Sequence, residues 1–377
     1  MKIVHVTECW NGGIATHTNT LLSEHQDHEL TLLYDPKLCQ FDFEPDALKA
    51  KGVSLIPYSS SRNPLKFWSI AREINKHLFD LQPDIVHLHS SFAGVYGRVI
   101  QNSFTTVYCA HGWAFAQERG ALKKALYKYV EKFLARRTHA ILHVSEHERE
   151  QAKQAKIKAE IERVIPNGVC DVSADLKTDF APVNPDALNL GFIGRLDHKK
   201  GFDILQRVFA QPNLNHIHLY VFGAASRDEA DAQRTDTSTI HFMGWMPQSR
   251  LDAHIQKLDA VIMPSREEAF GLVAVEAMRN AKPVIASNRG ALPEIIEHAE
   301  TGYVFDLDLA DKSLPSLLLS LEKHTLKTKG EWGLTRFEKF YTAQRMGEEI
   351  MALYEDISGH ARSQIDKSQE PPREAAA

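Results

Sequence analysis

Short apolar runs recur along the chain, and each is followed by a longer stretch with apolar residues at helical spacing. The runs Ile3–Thr7, Glu29–Tyr34, Val53–Ile56, Ile85–Leu88, Thr105–Cys109, Ala140–Val144 and Arg163–Ile165 predict strands. Helices are predicted near 15–24, 65–81, 93–101, 123–136 and 146–155. Pro166-Asn167-Gly168-Val169 closes this series with turn chemistry, and residues 171–187 are polar and rich in Asp and Pro, as a linker would be. A second series follows, with strands Leu188–Ile193, Ile217–Phe222, Ile240–Met243, Ala260–Met263, Pro283–Ala286 and Tyr303–Phe305. Its helices fall near 201–210, 248–256, 271–279, 292–296 and 310–322. Strands alternating with helices predict βαβ units and parallel sheets, hence an α/β chain of two doubly wound halves. The halves are expected at 1–170 and 188–342, with the cleft between them as the binding site. A last helical pattern covers 343–357, and the composition of 358–377 predicts a disordered tail.

Composition narrows the class. The chain has 377 residues, 43% hydrophobic and 25% charged, which suits two globular domains of an enzyme. A net charge of −5 argues against a nucleic-acid binder. Cys9, Cys39, Cys109 and Cys170 form no C-x-x-C pair, which predicts a reducing compartment and no structural zinc. The first strand starts at once, without a signal-peptide pattern, and no apolar run has the length of a membrane span. The expected location is the cytoplasm or the inner face of the plasma membrane.

Four stretches fall at the carboxyl ends of predicted strands, where open α/β sheets bind ligands. Gly12-Gly13 lets backbone approach a ligand closely, though a plain tight turn has the same look. His111, before Gly112, offers a hydrogen-bonding ring, though most of 19 histidines will be structural. His87 and His89 share one strand face, but without a third ligand in the neighbouring sequence they do not predict a metal site. Gly194-Arg195-Leu196-Asp197-His198-Lys199-Lys200-Gly201 combines a guanidinium fork, an ammonium group and room for a diphosphate; a solvated basic turn is the alternative. The fourth stretch, Ser265–Met278, places Glu268 before a helix that opens at Phe270-Gly271-Leu272 and Glu276 inside it. A helix start favours phosphate, and carboxylates on either side favour hydroxyl groups. Sugar hydroxyls, phosphates and ribose hydroxyls occur in that order in a nucleotide sugar.

Taken together these pieces resemble glycosyltransferase family 4, retaining nucleotide-sugar transferases with the two-Rossmann GT-B fold. The matching residues are Gly12-Gly13, His111-Gly112, Ile165–Val169, Gly194-Arg195, Lys200-Gly201, Gly244-Trp245, Pro264-Ser265-x-x-Glu268-x-Phe270-Gly271-Leu272-x-x-x-Glu276-Ala277-Met278, Lys282–Ala286 and Gly302-Tyr303. They stand in family order over nearly the whole chain. The resemblance implies that Arg195 and Lys200 grip the donor diphosphate and stabilise the leaving group, assisted by the N–H groups around Phe270, Gly271 and Leu272. It implies that Glu268 holds donor-sugar hydroxyls, Glu276 the ribose, and His111 a place beside the sugar. Gly12 and Gly13 would lie near the phosphates and Met246, after Trp245, near the base. The helix at 343–357 would cross back onto the first domain. The implied activity is transfer of a hexose-type sugar from a UDP- or GDP-sugar to a glycan or lipid-linked acceptor in cell-surface polysaccharide synthesis, such as lipopolysaccharide or capsule. No metal is expected, and no side chain is an obvious nucleophile, so the implied route is a front-face reaction in which the leaving phosphate takes the acceptor proton. Asp306-Leu307-Asp308 spells a metal-binding D-x-D but stands where a helix start is predicted. A nucleotide-sugar epimerase of the same fold and a non-catalytic nucleotide-sugar binder remain as alternatives; a dehydrogenase is disfavoured because no G-x-G-x-x-G follows either first strand.

One segment stands apart from this pattern. Between Arg119 and Arg137 there are seven cations and one acid, Glu131, around the apolar stripe Leu122, Leu126, Tyr129, Val130 and Phe133. Such a helix either lies on an anionic membrane or packs its stripe into the core with a solvated cationic face.

Overall fold

The structure is a computed structural model that describes residues 1–39, 43–100, 104–172, 184–224 and 237–369, without the side chains of Pro64, Ser249 and 360–369. Most of the expected linker, and the tail beyond 369, lie outside the described residues. The chain divides into two compact units. The first comprises Met1–Val144, Glu148–Ile165 and the chain from Gln344 onward; the second comprises Ser145–His147 and Pro166–Ala343.

In the first unit the elements alternate as β1 (Lys2–Thr7), α1 (Gly12–Glu24), β2 (Glu29–Tyr34), α2 (Pro45–Ala50), β3 (Ser54–Pro57), α3 (Phe67–Leu81), β4 (Ile85–His89), α4 (Ser91–Val99), β5 (Thr105–Cys109), α5 (Ala121–Ala135), β6 (Ala140–His143), α6 (Glu146–Gln154) and β7 (Ile161–Val164). The seven strands are parallel in the order β3-β2-β1-β4-β5-β6-β7, so the winding direction reverses between β1 and β4. Each central strand is buried along its length, as it must be when helices cover both sheet faces.

The second unit contains β8 (Leu188–Ile193), α7 (Phe202–Phe209), β9 (Ile217–Phe222), β10 (Ile240–Gly244), α8 (Gln248–Ile255), β11 (Ala260–Met263), α9 (Leu272–Arg279), β12 (Val284–Ser287), α10 (Leu292–Ile295), β13 (Gly302–Phe305), α11 (Ala310–Leu319) and α12 (Lys323–Phe340). Its parallel sheet runs β10-β9-β8-β11-β12-β13 and reverses between β8 and β11. On one face of this sheet, Phe202, Leu205, Val208 and Phe209 of α7 pack with Phe192, Leu219 and Val221 of the strands in one buried core. Each such side chain contributes about 1.5–3 kcal/mol on burial.

All the predicted strands are present, but two helices were not predicted. Helix α2 is short. Helix α12 carries Gly330 and Gly333, which weaken a helix in isolation. Here they are contact points. A Cβ on Gly330 would lie 2.0 Å from the Ala281 carbonyl oxygen, and Gly333 faces Met278, so α12 lies close against α9 because it lacks side chains there.

The last helix, α13 (Ala343–Gln369), belongs to the first unit from Gln344. Its anchors are polar as well as apolar: His25 Nε2 donates to the Gly347 carbonyl at 3.0 Å, and Tyr354 Oη lies 2.6 Å from His87 Nδ1. It continues past 357, which corrects the tail predicted from 358. Ala361, Arg362, Gln364, Ile365 and Lys367 are sound helix formers, and the first proline after them is Pro371. Among the described residues no helix is long and apolar enough to cross a membrane.

Candidate functional site

The loops after β8 and β11 flank the point where the second sheet reverses. At such a point neighbouring loops diverge and leave a crevice at the carboxyl ends of the strands. The two loops are tied together. The Arg266 N–H donates to the Lys199 carbonyl at 2.7 Å, and the Arg266 guanidinium grips Asp203 through two bonds of 2.6 and 2.8 Å. Gly201 has φ +73°, and a Cβ there would lie 2.0 Å from the Pro264 carbonyl oxygen, so only glycine fits this crossing.

This bracing sets two acid–base pairs side by side. Lys199 pairs with Glu267 at 2.9 Å, and Lys200 Nζ pairs with Glu268 Oε1. Ser265 Oγ donates to the same Glu268 oxygen at 3.0 Å. The Glu268 backbone is fixed from behind, since Ala291 N–H donates to its carbonyl at 3.1 Å and a Cβ on Gly290 would lie 2.0 Å from that oxygen. Asp197 organises the other loop by accepting from the Lys200 N–H at 3.0 Å and from Arg195 Nε at 2.7 Å. The Arg195 side chain is 61% exposed, so the guanidinium stands on the rim.

Helix α9 begins one residue after Gly271, whose φ of +116° turns the chain into it. It has no acidic residue in its first turn and no side-chain cap. Phe270 is buried, and Leu272 is the first helical residue. Glu276 is buried one turn further in, and burial pushes its carboxyl up to about 7, against the pull of Arg279. Met246 is half-buried just past the edge strand β10, two strands away from β8. The structure therefore brings Lys200 and Glu268 into contact, places Arg195, Phe270, Gly271, Leu272 and Glu276 on the adjoining loops and helix, and leaves Met246 further along the sheet. The D-x-D carboxylates serve a turn: Asp306 accepts from the Asp308 N–H at 3.1 Å, and Asp308 pairs with Arg289.

In the first unit, Gly12 and Gly13 open α1 directly after β1, and Gly12 has φ +50°. His111 follows β5 with φ +53°, which is strained for a non-glycine residue. Glu148 of α6 holds the turn, accepting from Gly112 N–H at 2.6 Å and from Val144 N–H at 2.8 Å. Glu148 is buried, which pushes its carboxyl up to about 7.

Behind His111 lies a histidine cluster that sequence reasoning missed. The β1–β4 register sets His5 opposite His87 and Thr7 opposite His89, so three imidazoles share one sheet face. His17 of α1 stands edge-on to His111 with ring centroids 4.6 Å apart. The sequence reading saw no third neighbour for His87 and His89; the structure supplies His5 from a strand about eighty residues away in the chain. Two groups, His5-His87-His89 and His17-Cys109-His111, each hold donor atoms within 4.8 Å of one another, close enough to share an ion. Neither group contains a carboxylate to balance a divalent charge. In the first group the nitrogens bond to one another and to Tyr354: His5 Nδ1 lies 3.0 Å from His89 Nε2. A signal for this cluster existed only jointly, in the histidines of β1 and β4 together with the strand order.

The stripe on α5 also resolves. Leu122, Leu126, Tyr129 and Phe133 are 86, 59, 72 and 45% exposed. The buried side of α5 is instead Glu131, Leu134 and Ala135. Glu131, the one acid of the segment, pairs with buried Arg98 at 2.8 Å and accepts from Tyr108 Oη at 3.0 Å.

Two family models match the chain, and relatives and solved structures of similar fold are known. Residues 11–171 match the family model described as Glycosyltransferase Family 4, and residues 177–329 match that described as Glycosyl transferases group 1. The chain is 28% identical to an uncharacterized 41.2 kDa protein in the cps region of Klebsiella pneumoniae, over 86% of this chain and 90% of that protein. It is 22% identical to an Escherichia coli UDP-Gal:alpha-D-GlcNAc-diphosphoundecaprenol alpha-1,3-galactosyltransferase, over 89% of this chain and 86% of that enzyme. Its fold is similar to that of Anabaena Alr3699/HepE in complex with UDP-glucose, with a TM-score of 0.75, 17% identity and coverage of 94% of this chain and 100% of that one.

Proposed function

We propose that this chain, which belongs to glycosyltransferase family 4 and has the GT-B fold, is a retaining enzyme that moves a hexose-type sugar from a UDP- or GDP-sugar onto a glycan or lipid-linked acceptor of a cell-surface polysaccharide. The observation that carries the reading is the Lys200–Glu268 pair at the switch point of the second sheet, beside the start of α9. A glycosyl diphosphate needs cations where the leaving phosphate gains charge and carboxylates where sugar and ribose present hydroxyls. Lys200 and Arg195 supply the first, with backbone N–H groups at Phe270–Leu272; Glu268 and Glu276 supply the second. Positive charge from these side chains lets the reaction run without a metal ion. The setting in lipopolysaccharide or capsule synthesis is favoured by the Klebsiella and Escherichia coli relatives.

The test is nucleotide release from UDP-, GDP- and ADP-sugars, with and without acceptor. Glu276→Ala removes hydrogen bonds to a charged group, about 1.5–3 kcal/mol, and is expected to weaken donor affinity roughly ten- to a hundredfold while turnover at saturation changes less. Unchanged donor affinity in Glu276→Ala sinks the assignment. Conversion of the donor to its epimer without nucleotide release would replace the transferase by an epimerase, and a glycosyl adduct trapped on Glu268 would overturn the front-face route.

We further propose that α5 rests on an anionic membrane surface. The exposed stripe Leu122-Leu126-Tyr129-Phe133 runs alongside exposed Lys123, Lys128 and Lys132, the pairing an interfacial helix needs. The protein is expected to co-sediment with vesicles containing phosphatidylglycerol and not with neutral ones, and charge reversal at Lys123, Lys124 and Lys128 is expected to abolish the difference. Equal binding to both vesicle types would end this reading.

A further inference from the structure

The strained turn at His111 is wired into the interior of the first unit. His111 Nε2 lies 3.1 Å from His89 Nδ1, and His89 Nε2 lies 3.0 Å from His5 Nδ1. The chain of rings ends there, because His5 Nε2 is buried without a partner among the described residues. The rings are stacked: His5 on His89 at 5.3 Å and 20°, His89 on His111 at 5.4 Å and 24°. Burial keeps all three neutral, and His5 is pushed down to about 3.

A neutral imidazole has one N–H and one lone pair. Two hydrogen bonds in series through His89 therefore allow only two proton patterns. In one, His111 donates inward from Nε2, His89 donates to His5, and His5 keeps its proton on Nε2. That leaves a buried N–H with no acceptor. In the other, His5 Nδ1–H donates to His89 Nε2, His89 Nδ1–H donates to His111 Nε2, and His5 Nε2 keeps only a lone pair. Orphaned buried N–H groups are rare, whereas under-satisfied buried acceptors are better tolerated. The second pattern is the stable one.

We infer that His5 and His89 act as positioning residues that hold His111 as its Nδ1–H tautomer, so that His111 presents a fixed hydrogen-bond donor to a sugar or acceptor oxygen. His111 Nε2 is committed as an acceptor from His89, and the ring is a donor to its ligand rather than a base. Its backbone is fixed on both sides: the His111 N–H lies on the buried Cys109 sulfur, and Gly112 N–H on Glu148. The wire thus performs for His111 what an orienting carboxylate performs for other functional histidines. The tautomer assignment stands on the wire alone, whereas the part played by the donated hydrogen bond rests on the glycosyltransferase reading.

Two measurements on the full chain test it. The first is long-range 1H–15N correlation on protein with 15N-labelled imidazoles, with the His111 signals identified by their loss in His111→Gln. The expected spectrum shows His111 protonated at Nδ1; protonation at Nε2 overturns the inference. The second compares two amides at position 89. In His89→Asn the amide occupies the Nδ1 position and keeps the contact with His111. In His89→Gln it reaches the Nε2 position and keeps only the contact with His5. Against the sugar nucleotide that the wild type turns over, His89→Asn is expected to stay within about threefold of wild-type kcat, whereas His89→Gln is expected to fall at least about tenfold with little change in donor KM and the same melting temperature as His89→Asn. Equal turnover in the two variants, or a loss that follows melting temperature, overturns the positioning role. A wild type inert toward every sugar nucleotide would sink the glycosyltransferase reading, and the spectrum would still decide the tautomer.

Discussion

Lys200→Ala is expected to lower kcat by about two to three orders of magnitude while changing donor affinity by much less. Lys200 carries one of the two charges proposed to meet the leaving diphosphate, and that diphosphate gains negative charge only as the glycosidic bond breaks. An interaction that strengthens along the reaction appears in turnover, whereas one that is equal in ground and transition states appears in binding. The geometry adds a second consequence. Lys200 Nζ pairs with Glu268, whose side chain is only 9% exposed, so removing the ammonium also leaves a nearly buried carboxylate without its cation. Lys200→Arg keeps the charge but replaces a compact ammonium by a planar fork and is expected to recover only part of the rate. Steady-state kinetics with saturating acceptor, together with donor titration by calorimetry, separate the two effects. Small and equal losses in Lys200→Ala and Glu276→Ala would sink the proposed division of labour.

Acidification between pH 7 and pH 5.5 is expected to destabilise the first unit strongly. His5, His87, His89 and His111 are all held well below their ordinary value of 6.5, first by burial and then by one another, with His17 and His25 adding to the repulsion. The other titratable groups facing them, Tyr354 and Cys109, are pushed up by burial and stay neutral. The folded state therefore binds fewer protons than the unfolded chain once the pH falls through 6.5. Stability is full above that pH, falls as the pH drops through it, and continues to fall until the folded values are reached. The limiting slope is about 1.4 kcal/mol per pH unit for each histidine and is reached only below 6.5, so each costs about 1.3 kcal/mol and the four about 5 kcal/mol between pH 7 and 5.5. Glu148 acts in the opposite direction: its carboxyl is raised to about 7, so the folded state gains protons there and about 1.5 kcal/mol is recovered. His25, His139 and His143 add to the loss and Glu8 subtracts from it. From the four histidines and Glu148 alone the net loss is about 3.5 kcal/mol, a large share of the stability of an ordinary domain. Urea midpoints measured in steps from pH 8 to pH 5 check it, and a midpoint that stays level between pH 7 and 5.5 would contradict it. Tyr354 bonds to His87 and the Gly347 carbonyl accepts from His25, so detachment of α13 is expected to accompany the loss.

Both results depend on contacts of very different range. The Lys200–Glu268 pair joins loops at neighbouring strands of one sheet, and its members stand in motifs that the sequence displays: a basic turn after β8 and an acidic turn after β11. Glu267 shows where such reading is incomplete. The motif legible in the sequence names Glu268 alone, but in the structure both are paired, Glu267 with Lys199, and this second pair helps to brace the two loops.

What the sequence determined by itself follows from local rules. Buried parallel strands must be apolar along their length, so all the strands were visible as runs, and their alternation with helices dictated a doubly wound fold. Gly201 and Gly271 lie at turns because each combines a positive φ with a neighbour that a Cβ would strike. What the tertiary structure decided concerns surfaces and partners. Periodicity showed that Leu122, Leu126, Tyr129 and Phe133 share one side of α5, but only packing showed that this side faces outward while Glu131 faces Arg98. Gly330 and Gly333 weaken α12 by propensity, yet they are the positions where α12 packs closely on Ala281 and Met278. His5 and His89 are distant in sequence and meet only because β1 lies beside β4, a pairing fixed by sheet order and register rather than by either strand alone. Local propensity depends on a few neighbouring residues, whereas the environment of a side chain depends on which distant element is packed against it.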